Sequence, residues 1–153
     1  MGRSIGLACY LALSEHAHGF AARQIQARLA RGKEDPARVN ERLGQTTLKR
    51  PAGVLVWFHA ASVGESLSIL ELIKRLVDLR PDINVMITTG TVTSAKMMAG
   101  RLPEEVIHQY VPVDERRSIR AFLSHWQPDL AVWTESELWP ALMHETHAAG
   151  AMR

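Results

Sequence analysis

An apolar run, Val54-Leu-Val-Trp-Phe-His-Ala60, stops in Ala-Ser-Val-Gly and delivers a carboxylate at Glu65. Apolar character without polar alternation marks a strand buried on both faces, and such strands belong to parallel sheets. A helical pattern over 66–79 follows, with Leu67, Leu70, Ile73, Leu76 and Val77 as its apolar stripe. The same beat repeats three times. Strands are expected over 83–89, 106–111 and 130–134, and helices over 95–101, 116–126 and 138–149. Four strand–helix units in series predict an α/β fold, a Rossmann-like doubly wound parallel sheet. A further strand is expected to begin at Gly150, since an unpaired edge there would be open to aggregation.

The commonest doubly wound order, 3-2-1-4, makes the first and fourth strands neighbours about 4.8 Å apart. Their connections leave in opposite directions, and ligands of open α/β sheets bind in the crevice so formed. Glu65 follows the first strand and Glu135 the fourth, so both are expected at one switch point as a candidate acid/base pair. For Glu65 two roles stay open: a carboxylate ionised by its helix N-terminus and serving as base, or a plain helix cap. Glu135 leaves an apolar run, where a carboxylate needs a partner, either an arginine or a substrate. Glu137 has the same ambiguity as helix-dipole complement. Trp139 reads as core or as a ligand platform.

Thr88-Thr-Gly-Thr-Val-Thr-Ser94 sets hydroxyls and amides at a helix start, which suits phosphate or sugar oxygens or simple capping. It is neither a dinucleotide fingerprint nor a P-loop, and Ser62 lacks the G-x-S-x-G elbow of serine hydrolases. One cysteine, Cys9, excludes an intrachain disulfide, and no Cys/His spacing predicts a metal. The total charge of +2 conceals an asymmetry. Residues 1–52 hold nine basic against four acidic side chains, a net +5, leaving −3 for the remainder. Residues 1–52 therefore read as a basic amphipathic helical leader and 53–153 as the core domain. Within the leader, nine apolar residues over 5–13 are too few to span a bilayer, which needs roughly 20. Residues 23–31 place Ile25 and Leu29 opposite arginines, as in an interfacial helix on an anionic membrane or a helix packed on the domain with its basic face solvated. A helix is expected over 37–43, opened by Pro36 and closed by Gly44. The arginines have almost no aromatic neighbours, so no nucleic-acid partner is expected.

Taken together, Gly32-Lys-Glu-Asp-Pro36, Ala60-Ala-Ser-Val-Gly-Glu65, Thr88-Thr-Gly-Thr-Val-Thr-Ser-Ala95, His108-Gln-Tyr-Val-Pro-Val-Asp114 and Glu135-Ser-Glu-Leu-Trp-Pro140 resemble the N-terminal half of 3-deoxy-D-manno-octulosonic acid (Kdo) transferases. The likeness runs collinearly over about residues 32–149. It implies the N-terminal, acceptor-binding domain of a GT-B type glycosyltransferase, moving Kdo from CMP-Kdo to the lipid A precursor (lipid IVA) in lipopolysaccharide biosynthesis. By that resemblance Glu65 is the general base and Glu135 stabilises the transition state. Candidate acceptor contacts are Ser62, Gly64, Thr88, Thr89, Gly90, Thr91, Thr93 and Glu137. The resemblance also implies an inverting reaction without metal or cofactor, a C-terminal CMP-Kdo domain outside this chain, and peripheral attachment to the cytoplasmic face of the bacterial inner membrane. The competing expectation is a non-catalytic α/β lipid-binding adaptor.

Overall fold

The structure, a computed structural model, describes residues 5–134 and 139–152. Its centre is a sheet of β1 (Leu55–Ala60), β2 (Asn84–Thr89), β3 (Ile107–Tyr110) and β4 (Leu130–Trp133). All pairings are parallel and the order is β3-β2-β1-β4, the 3-2-1-4 arrangement expected from the sequence. Every residue of β1 is buried, as its unbroken apolar run requires. Side chains alternate across the sheet. Val56, Phe58 and Ala60 enter the core under α3 (Val63–Leu79) and α4 (Val92–Ala99). Leu55 and Trp57 enter the opposite core, with α5 (Arg116–Trp126) and α6 (Pro140–Ala148). There Trp57 meets Phe122 and Trp133, with ring centroids 5.0 and 5.2 Å away. Met152 forms a parallel bridge with Leu130 at the position where a further strand was expected.

Helix starts differ from the sequence expectation because the small-residue turns are themselves caps. Ser62 caps α3, which begins at Val63 rather than at residue 66, and Thr91 caps α4, which covers Val92–Ala99 rather than 95–101. With α3 so placed, Ile69 and Ile73 lead its buried face and Leu67 is exposed. The helix expected over 37–43 is a 3-10 helix at Val39–Leu43. It is one short turn, the length at which this tighter geometry is common. It closes at Gly44 with φ 76°, a left-handed conformation that glycine adopts without cost.

The first 30 residues supply α1 (Ile5–His16) and α2 (His18–Ala30). Ala21 and Ile25 of α2 are buried, and α1 packs on α5 and α6. The Tyr10 hydroxyl donates to the Asp114 carboxylate, which also accepts from the Leu142 amide at 2.8 Å in the first turn of α6. Glu15 pairs with Arg116 and, at 3.1 Å, with Arg120. Arg28, Arg38, Arg42 and Arg50 find carboxylates or carbonyls within the fold, whereas Arg23, Arg31, Lys33 and Lys49 are exposed. No helix among the described residues is long and apolar enough to cross a membrane.

Candidate active site

The site is built where the carboxyl ends of β1, β2 and β4 meet. β1 leads through Ala61 into α3. Ser62 Oγ accepts from the Glu65 amide at 3.3 Å, and Glu65 Oε2 accepts from the Ser62 amide at 3.0 Å, a complete capping box. This satisfies two helix-end amides and fixes the Glu65 side chain at the edge of the sheet. Among the described residues, Glu65 Oε1 has no partner. The capping role and the role as base are therefore compatible: one oxygen anchors, the other is available.

β4 runs beside β1, pairing Phe58 with Val132 and His59 with Trp133. Thr134 continues that ladder, its amide and hydroxyl donating to the His59 carbonyl at 3.1 and 2.8 Å. Thr134 thus lies beside the carboxyl end of β1. Glu135 and Glu137 themselves lie outside the described residues. Trp139, after them, is half-buried on the core with His59 6.1 Å away, so it takes the core role of the two open to it.

The second turn follows β2. Thr88 and Thr89 are fully buried. Thr88 Oγ1 accepts from Trp57 Nε1 at 2.9 Å and is hydrogen-bonded to His59 Nδ1 at 2.8 Å. Thr89 Oγ1 is hydrogen-bonded to His108 Nε2 at 2.9 Å. The hydroxyls of both threonines thus bond within the core beneath the turn. The reason is β-strand alternation within a sheet covered on both faces, which leaves neither side of β2 to solvent. Gly90, Thr91 and Thr93 lie at or near the surface beyond them. Thr91 Oγ1 caps α4, accepting from the Ser94 amide at 3.1 Å. The two turns touch, since the Gly90 amide lies 3.4 Å from the Ala61 carbonyl and a Cβ on Gly90 would come within 3.1 Å of that oxygen. Ser62, Gly64, Glu65, Gly90, Thr91 and Thr93 are thus brought to one edge.

Several groups that hold this edge were missed from the sequence. His59 was read as part of an apolar run, although an imidazole inside a buried strand must find a polar partner. Arg38 and Arg42 were read only as part of the net charge of residues 1–52, and His108 only as part of the expected strand over 106–111, so their contacts here were missed. Arg38 Nη2 donates to Glu41 at 2.8 Å, to His108 Nδ1 at 3.0 Å and to the His108 carbonyl at 2.9 Å. Burial, and then the Arg38 charge, push the His108 imidazole from 6.5 down to about 4. No group of three or more His, Cys, Asp or Glu side chains suited to a metal occurs among the described residues.

Comparison with known proteins gives these features a family. Residues 37–152 match the family described as 3-deoxy-D-manno-octulosonic-acid transferase (kdotransferase). A 3-deoxy-D-manno-octulosonic acid transferase of Rickettsia bellii is 40% identical over 121 residues, covering 79% of this chain and 29% of that protein. A probable mitochondrial 3-deoxy-D-manno-octulosonic acid transferase of Arabidopsis thaliana is 38% identical over 119 residues, 78% of this chain and 27% of its own length. The Rickettsia typhi transferase is 47% identical over 91 residues, 60% of this chain and 20% of that protein. The chain thus spans less than a third of the length of these relatives. Family match and sheet geometry agree, and the chain belongs to the Kdo transferase family.

Proposed function

We propose that this chain is the acceptor-side domain of a GT-B type Kdo transferase, with residues 1–52 as leader and 53–153 as the acceptor domain. The complete enzyme carries the CMP-Kdo site on a second domain and acts on the lipid A precursor at the cytoplasmic face of the inner membrane. Glu65 is the general base. Its free oxygen takes the proton from an acceptor sugar hydroxyl as that oxygen bonds to the anomeric carbon of CMP-Kdo. The bond from that carbon to the phosphate oxygen breaks, and CMP leaves with the electron pair. The configuration inverts, and no metal takes part. Glu135 stabilises the charge developing on the sugar. Ser62, Gly64, Gly90, Thr91, Thr93 and Glu137 contact the acceptor, while Thr88 and Thr89 support the turn from below.

One observation carries this reading: Glu65 is pinned through Oε2 at the end of β1 while Oε1 stays unpaired among the described residues. A positioned base of this kind contributes about 10²–10⁴-fold to rate. In the complete enzyme, Glu65→Gln is expected to abolish transfer, read as CMP release with lipid acceptor, without loss of folding. The isolated chain is expected to release no CMP. Transfer by Glu65→Gln near the wild-type rate would refute the assignment. The capping box also favours a second reading, a non-catalytic lipid-binding adaptor in which Glu65 only caps its helix. Lipid binding with no CMP release by either the wild type or the variant of the complete protein would select it.

A further inference from the structure

The Gly32-to-Pro36 motif has no part in the chemistry above, yet it supplies one of the most buried carboxylates of the chain. Glu34 is 5% exposed and Arg42 7%. Glu34 accepts from Arg28 Nε at 2.5 Å and forms an ion pair with Arg42 Nε at 3.3 Å, without a hydrogen bond to that buried nitrogen. The other two nitrogens of the Arg42 fork reach the sheet. Nη1 donates to the Val111 carbonyl at 2.7 Å and Nη2 to the Gly90 carbonyl at 3.2 Å. The Arg42 carbonyl in turn accepts from the Val113 amide at 2.9 Å. Burial lowers the pKa of this guanidinium and the Glu34 carboxylate opposes that shift.

Burying such a pair is expensive, and well-packed apolar side chains of like volume commonly hold a fold as well. What they cannot do is grip two carbonyls on different strands at a fixed separation, the task a planar fork with five donors performs. Gly90 is the first residue of the β2–α4 turn, and its amide donates to the carbonyl of Ala61, which opens the turn carrying Ser62 and Glu65 and lies too near to leave a Cβ on Gly90 free space. We propose that Glu34 and Arg42 are positioning residues: the carboxylate aims the guanidinium, which ties the ends of β2 and β3 together and, through Gly90 and Ala61, sets the acceptor turn and Glu65. This inference rests on the reading of that edge as the acceptor site.

The test uses Arg42→Lys and the milder Glu34→Gln in the complete enzyme. Lysine keeps the charge near Glu34 but cannot donate to both carbonyls in the geometry of the fork. Hydrogen exchange at the Gly90, Ser94 and Glu65 amides is expected to accelerate at least about tenfold relative to the far end of α3. The acceptor KM, per folded molecule, is expected to rise about tenfold, less than the roughly hundredfold that a full 1 Å misplacement can cost, while the CMP-Kdo KM stays unchanged. Glu34→Gln should move both quantities in the same direction by less, and it decides the matter if Arg42→Lys does not fold. A lower melting temperature with unaltered exchange at the two turns and unaltered acceptor KM would overturn the proposal, leaving the pair a purely structural one. Normal transfer by Glu65→Gln would instead overturn the functional reading, while the exchange measurement still judges the bracket by itself.

Discussion

A guanidinium only donates, so the contact from Arg38 Nη2 to His108 Nδ1 fixes the imidazole as neutral, with its proton on Nε2 facing Thr89 Oγ1. As pH falls, the unfolded chain takes up a proton at this histidine near 6.5, and the folded chain only near 4. Stability from this group is therefore complete above about pH 6.5, declines below it, and has lost on the order of 3 kcal/mol once pH drops past 4. The difference in urea midpoint between wild type and His108→Gln should follow this curve; a difference flat from pH 7 to 4 would show that His108 is not neutral and buried in solution. Glu65 gives a second test at this scale. Glutamine at the third helical position still closes a capping box, so Glu65→Gln should keep the melting temperature while transfer is lost. Stability and activity come apart there because the cap and the base use different oxygens.

At the scale of elements, the turns rather than the helices decide what the edge presents. Ser62-x-x-Glu65 is a capping-box sequence, legible as such, but apolar periodicity begins only after the cap and so placed the start of α3 too late. The 3-10 turn matters in the same way, since it carries Arg42 on one side and closes onto α5 on the other. A Cβ on Gly44 would lie 2.1 Å from the Ser118 carbonyl and 2.8 Å from the Phe122 amide, at a φ of 76°. Gly44→Ala is expected to destabilise the chain by more than about 2 kcal/mol in chemical denaturation, through backbone strain and loss of this contact. A smaller effect would mean that the turn and α5 are not packed together as described.

For the whole molecule, the leader's charge counts for less than its composition suggests. Four of its arginines are paired within the fold, so among the described residues the exposed cations on and just after α2 are Arg23, Arg31 and Lys33. On α1 and α2, Ile5, Leu13 and Phe20 are 82%, 73% and 64% exposed. Membrane attachment of this kind would combine about 1 kcal/mol per cation with about 1.5–3 kcal/mol per inserted large apolar side chain. Cosedimentation with phosphatidylglycerol vesicles is therefore expected to weaken only moderately with salt, and to fall at least about tenfold on replacing Ile5, Leu13 and Phe20 by serine. Binding that vanishes with salt and ignores the serine variant would assign attachment to charge alone.

Unbroken apolar runs and their spacing determined the four strand–helix units and placed Ser62, Glu65 and Gly90 at strand ends, because burial on both faces of a parallel sheet leaves its mark on every residue of a strand. The same signal could not tell that Thr88 and Thr89 face inward, that Glu34 is buried against Arg28 and Arg42, or that Arg38 bonds to β3 and Arg42 to the residues after β2 and β3. A charged side chain carries no local record of its partner. Whether a threonine meets ligand or core, and whether an arginine coats a surface or braces a turn, depends on groups some 20 to 70 residues away that only the folded chain brings within hydrogen-bonding reach.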